Sequence, residues 1–232
     1  MGQTAAAPAT AAYDLIEVRP IAGTLGAEIL GADLGQMSDD LYGEIYRAFV
    51  EHQAIVIRDQ QITTDQYLAF AKFWGEINIY PFMKGLESHP EVLEILKTEE
   101  DTYAFGNAWH SDGSFNPVPP KATMLYAQEL PPAGGDTLFS SGYAAYETLS
   151  DGMKEVLAPL KAVYIGESQR KNWDTLKAMQ HNTEADAQVG GVHPIIRTHP
   201  DTGRKALFFS SHIVRFDGMS DEESAPLLTY LK

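Results

Sequence analysis

Apolar and polar residues alternate through 13–34, YDLIEVRPIAGTLGAEILGADL, and glycines interrupt the run. Successive side chains of a strand point to opposite faces, so this pattern predicts short strands and turns. The period then lengthens. In SDDLYGEIYRAFVEHQ, Leu41, Ile45, Ala48 and Phe49 recur at helical spacing to form one apolar stripe. Ser38 stands where a cap belongs, and two acids follow at the positive end of the helix dipole. AIVIRD, 54–59, predicts a buried strand; TTDQYLAFAKFWGEI predicts a second helix, opening on Thr64 as cap and closing at Gly75.

Further along, PEVLEILKT and ATMLYAQEL (122–130) predict strands, the second ended by PPAGG, with a loop over 101–108 between them. SGYAAYETLSDGMKEVLAPL, 141–160, reads as a helix in two pieces, the second capped by Ser150. Residues 166–191 are polar and irregular, a length that suits a functional loop or lid. VHPIIRTHP and KALFFSS flank the turn DTGRK as a hairpin. SDEESAPLLTYLK opens a helix with Ser220 as cap and Glu223 completing a capping box, and the chain ends inside that helix, which reads as truncation. Short strands in the middle with helices around them give an α+β chain with a β-sandwich or barrel core.

Composition narrows the function. At 232 residues and 44% hydrophobic, the chain suits a flexible segment, 1–12, followed by one domain, 13–232. A net charge of −15 repels nucleic-acid phosphates and anionic membrane surfaces, so neither is an expected partner. No cysteine is present, so a metal would have to be held by His, Asp or Glu. The start lacks the basic and apolar regions of a secretory signal, and no apolar run is long enough for a bilayer; the expected location is cytoplasmic.

Against that background WHSDGSF, 109–115, carries the chemistry. His110 and Asp112 are two apart, a spacing that on an extended strand sends both side chains to one face. With a second histidine from elsewhere they would form the 2-His-1-carboxylate triad, which holds Fe(II) and leaves positions open for a chelating cosubstrate and O2. Spacing alone also fits a hydrogen-bonded pair in a surface loop.

Three runs in order, WHSDGSF, GGDTLFSSGYAAYETLS and HPIIRTHPDTGRKALFFSSH, resemble the signature segments of the taurine/2,4-D dioxygenase family, and the resemblance extends over about 14–232. It implies a double-stranded β-helix (jelly-roll, cupin-like) core with flanking helices. It further implies Fe(II) as cofactor with 2-oxoglutarate as cosubstrate and O2, His110 and Asp112 as iron ligands, and Thr137 as the hydroxyl that holds a 2-oxoglutarate carboxylate. The family's second histidine ligand and its 2-oxoglutarate arginine belong to strands after a helix like LLTYL. No position of this chain matches them, so the domain is expected to be incomplete, with its closing C-terminal strands missing.

For substrate, the resemblance implies a small organic anion of aryloxyalkanoate, alkyl sulfate or sulfonate type. Tyr80 and Met83 stand where taurine enzymes carry a His and a Tyr, a departure from the taurine pattern. FFSSH resembles the 2,4-D-type members, making His212 a candidate substrate contact, and Gly113 within WHSDGSF is carried with these three. His193 and His199, each before a proline, are expected to be structural, and His52, His89 and His181 to lie at the surface. The alternative function is a non-catalytic β-barrel module or pseudoenzyme binding a metal or anion. Open strand edges would favour a homo-oligomer.

Overall fold

The computed structural model describes residues 12–101, 105–166, 179–182 and 189–232. Contacts divide the chain into two units, Met1–Phe70 and Ala71–Lys232.

In the first unit, β1 (Glu17–Pro20) and β2 (Ala27–Leu30) pair antiparallel, and β3 (Ile55–Ile57) joins β2 in parallel. A parallel neighbour needs a crossover, and α1 (Asp39–His52) supplies it. Ser38 accepts from the Leu41 amide as the cap, while Gln53 ends the helix in the left-handed region at φ 66°. Ile45 and Ala48 are buried with Ala27 and Ile29 of β2, so the predicted stripe is the face that covers the sheet. Glu44, on the same helix, accepts the amides of Asp14, Leu15 and Ile16 at 2.7, 3.0 and 3.1 Å and ties the leading segment down.

Helix α2 (Thr64–Phe73) departs from expectation by one residue at its cap. Thr63, not Thr64, bonds reciprocally with Gln66: Thr63 Oγ1 accepts from the Gln66 amide at 3.2 Å, and Gln66 Oε1 accepts from the Thr63 amide at 2.9 Å.

In the second unit β4 (Lys161–Ile165) lies between β5 (Gly190–Pro194) and β8 (Ile213–Phe216), antiparallel to both. Ala162, paired with His193 on one side and Phe216 on the other, is fully buried, as are Tyr164 and Phe216. The predicted hairpin is β6 (Ile196–Thr198) with β7 (Lys205–Leu207). Two short helices, α3 (Gly142–Thr148) and α4 (Asp151–Leu157), are capped by Ser141 and Ser150. Helix α5 (Asp221–Leu231) has the full Ser220–Glu223 capping box and packs on β8, where Ser224 Oγ accepts the Phe216 amide at 3.0 Å.

Two expected strands are not there. Residues 90–98 and 122–130 carry no strand pairing. Within 122–127, half-buried Ala122, Met124 and Tyr126 alternate with exposed Thr123, Leu125 and Ala127, so the period-two pattern is present without a ladder. A strand requires a ladder with a neighbour, and among the described residues neither segment belongs to one. The expected loop or lid over 166–191 falls largely outside the described residues. Of its described part, His181 forms an isolated bridge with Met83, and Gly190 and Gly191 belong to β5.

Candidate metal centre

His110 and Asp112 lie in an irregular segment rather than on the expected strand; Asp112 begins a turn that runs to Phe115. Gly113 makes that turn possible. Its φ is +56°, and a Cβ there would lie 2.6 Å from Pro120 Cδ. The Asn116 amide donates to the Gly113 carbonyl at 2.9 Å and closes the turn. The two side chains nevertheless converge, with His110 Nε2 3.0 Å from Asp112 Oδ1.

The other imidazole nitrogen fixes the ring. His110 Nδ1 donates to the Ala108 carbonyl at 2.6 Å, since a carbonyl oxygen can only accept. In the neutral ring that places the hydrogen on Nδ1 and a lone pair on Nε2, the arrangement usual in metal-bound histidines. The Asp112 hydrogen bond holds the His110 pKa above its ordinary value despite burial, and the same bond holds the Asp112 carboxyl below its own. The pair thus favours a proton on Nε2, between two ligand atoms that a divalent cation could share in its place. Their side chains are 32% and 51% exposed, which leaves room for further ligands.

The pair opens on a cleft with about 490 Å³ of empty space, part of it continuous with solvent. Tyr80, Phe105 and Phe115 give it an aromatic side, with Tyr80 edge-on to both phenylalanines at 6.1 and 6.4 Å between centroids. Of the predicted substrate residues, Tyr80, Gly113 and His212 line this cleft. Met83 is 3% exposed in the core and does not. Thr137 lies in an exposed stretch and is not among the residues that line the cleft.

His212 is 6% exposed, and its ring packs edge-on to Phe115 at 5.1 Å and to His110 at 6.5 Å. Burial, reinforced by His110, pushes its pKa down to about 4, so the ring is neutral near pH 7. Two buried serines that the motifs did not single out, Ser114 and Ser210, stand beside it. Ser114 meets Ser210 and His212 across 96 and 98 positions, whereas Ser210 is two residues from His212. His193 is structural, bonded through Nε2 to the Asn116 carbonyl at 2.9 Å.

Among the described residues no group of three His, Cys, Asp or Glu side chains is placed to hold a metal. His110 and Asp112 fit two protein positions of a 2-His-1-carboxylate site, on the chemistry of their donors and the fixed ring.

A family model for the taurine catabolism dioxygenase TauD, TfdA family matches residues 17–232. The chain is 33% identical over 227 residues to a Schizosaccharomyces pombe protein named as a candidate alpha-ketoglutarate-dependent sulfonate dioxygenase, covering 94% of this chain and 57% of that protein. It is 32% identical over 235 residues to the alpha-ketoglutarate-dependent sulfate ester dioxygenase of Pseudomonas putida, covering 98% and 77%. It thus spans a little over half of the first relative and about three quarters of the second. Of solved structures, AAD-2 in complex with Mn(II) and N-oxalylglycine superposes with a TM-score of 0.70 at 26% identity, over 93% of this chain and 78% of that one.

Proposed function

The chain belongs to the taurine catabolism dioxygenase TauD, TfdA family, and from that premise we propose that it acts as an Fe(II)- and 2-oxoglutarate-dependent dioxygenase hydroxylating a small organic anion. Its jelly-roll core with flanking helices is the fold of its structural neighbours. The observation that carries the proposal is the convergence of His110 Nε2 and Asp112 Oδ1 at 3.0 Å, with Nδ1 already committed to the Ala108 carbonyl.

His110 and Asp112 would hold the iron. Bound there with 2-oxoglutarate, Fe(II) supplies activation of O2 coupled to decarboxylation of the keto acid to succinate and hydroxylation of a substrate C–H bond. The protein's own residues fix geometry and environment. Ala108 sets the imidazole's orientation, and Gly113 lets the chain turn immediately after the carboxylate. Tyr80, Phe105 and Phe115 keep water from one side of the cleft. His212 faces the substrate, and Thr137 holds a carboxylate of 2-oxoglutarate. The sulfonate and sulfate ester relatives support an anionic substrate of that kind, with aryloxyalkanoates a third class on the resemblance of FFSSH. Tyr80 and Met83 depart from the taurine pattern and argue against taurine itself.

Anaerobic titration of the chain with Fe(II) and 2-oxoglutarate tests this. Chelation of the keto acid should bring up a visible metal-to-ligand charge-transfer band, absent in His110→Ala. A wild-type chain with no band would overturn the reading. A second reading, a binding module without turnover, is favoured by the lack of a third donor among the described residues. Admitting O2 separates the two: succinate is released only by the enzyme.

A further inference from the structure

Ser114 and Ser210 are 0% and 1% exposed, so the hydrogens of their hydroxyls must be satisfied within the protein. Ser210 Oγ lies 3.3 Å from the Ser111 amide, 3.3 Å from the His212 amide, 3.0 Å from Ser114 Oγ and 2.9 Å from His212 Nδ1. Ser114 Oγ lies 3.0 Å from Ser210 Oγ and 3.1 Å from His212 Nδ1. Two amides can only donate, and each hydroxyl has one hydrogen. Among these neighbours, His212 Nδ1 is the one acceptor that is not itself a hydroxyl.

Both hydroxyls are satisfied when Ser114 donates to Ser210 and Ser210 donates to His212 Nδ1, and in every arrangement that satisfies both, Nδ1 is an acceptor. If Nδ1 carried a hydrogen instead, one of the two buried hydroxyl hydrogens would have no acceptor. We propose that Ser114 and Ser210 are positioning residues that lock His212 in its Nε2–H tautomer, so that the ring offers the cleft a neutral hydrogen-bond donor for an oxygen of the substrate anion. This rests on the dioxygenase reading for the identity of the ligand, but the lock itself does not.

Two consequences separate this from a general substrate contact. A neutral donor orients a carboxylate, sulfonate or sulfate oxygen without contributing a counter-charge, so it selects geometry rather than net charge. A ring whose Nε2 carries hydrogen also cannot use that nitrogen as a metal ligand, which keeps His212 out of the iron's protein ligand set although its ring is 6.5 Å from that of His110.

Long-range proton–nitrogen NMR on the metal-free 232-residue chain, labelled at histidine nitrogens, reads the tautomer directly, with His212→Gln identifying the signals. The expected result is an unprotonated Nδ1 and a protonated Nε2. Either serine alone suffices as donor, so Ser114→Ala and Ser210→Ala should each keep that tautomer, whereas the double variant should give a mixture. Adding hexyl sulfate should move the Nε2–H resonance of wild type. A protonated Nδ1 in wild type overturns the lock even if the double variant does not fold. The stated tautomer with no response to hexyl sulfate overturns the substrate contact. Neither result depends on iron, so both are distinct from failure of the charge-transfer test.

Discussion

Two stretches of 71–232 stand in contrast. One is the wall made by 109–116 and 208–216, where Ser114, Phe115, Ser210, His212 and Phe216 are all buried and bonded or packed to one another. The other is 122–140, where Leu125, Leu130, Leu138 and Phe139 are 61 to 72% exposed and no strand ladder forms. Both have the apolar content of β structure. The first is tied across the chain by Ser114, Ser210 and His212 and by the Ser211 amide on the Trp109 carbonyl, contacts that hold its side chains in place. The second alternates over 122–127, where Thr123 bonds Asp112, and is exposed from 127 to 140. The proposed iron ligands belong to the supported wall and the proposed 2-oxoglutarate hydroxyl, Thr137, to the unsupported stretch, so the two halves of the chemistry rest on different footings.

The largest expected effect lies on the supported side. Removing a hydrogen bond that supports a metal ligand typically weakens binding about 10–100-fold. Loss of a ligand itself in His110→Ala or Asp112→Ala should exceed that, read as Fe(II) affinity by anaerobic titration. Affinity within about 10-fold of wild type would mean the iron sits elsewhere, and the contrast between the stretches would lose its functional meaning.

The same contrast explains what was legible in the sequence. Caps at Ser38, Ser150 and Ser220 act within three residues, and each was readable. The Thr63 cap was readable too, since Thr63-x-x-Gln66 is the capping-box spacing and Thr64 lacks such a partner, yet two adjacent threonines concealed it. His110 and Asp112 were found because their pairing is local, although the segment is a turn and not a strand. Strand pairing for 90–98 and 122–130 was not readable because it depends on a neighbour far along the chain. Ser114 was missed for that reason, since it meets Ser210 and His212 across 96 and 98 residues, while Ser210, two residues from His212 in FFSSH, was within reach of a local reading.

Gly113→Ala attacks the supported wall through its backbone. At φ +56° with Pro120 Cδ 2.6 Å from the new Cβ, the turn must shift or strain. A loss of about 1–3 kcal/mol in urea unfolding is expected, with weaker Fe(II) binding because Asp112 is the preceding residue. Unchanged stability would show that the wall is less rigid than its contacts suggest.

Thr137→Val tests the other stretch. If the hydroxyl meets a 2-oxoglutarate carboxylate, losing that charge-assisted bond should raise the 2-oxoglutarate Kd about 10-fold while leaving Fe(II) affinity alone. An unchanged Kd removes Thr137 from the site and leaves the exposed stretch with no assigned part in the chemistry.

The smallest effect is expected at Tyr164→Phe, and it asks how the wall is held. Tyr164 is fully buried, and its hydroxyl donates to the carbonyl of Phe208, which opens the segment that carries Ser210 and His212. The Phe208 amide is separately bonded to the Ile195 carbonyl at 2.8 Å and the His212 carbonyl accepts the Ile165 amide at 2.9 Å, so the segment stays anchored when the phenol is lost. The variant should lose about 1 kcal/mol by chemical denaturation and keep the His212 tautomer. A change of tautomer would mean that the serine pair acts only while Tyr164 holds 208–212 in place, and the support of the wall would then extend from β4 into the cleft rather than residing in its serines.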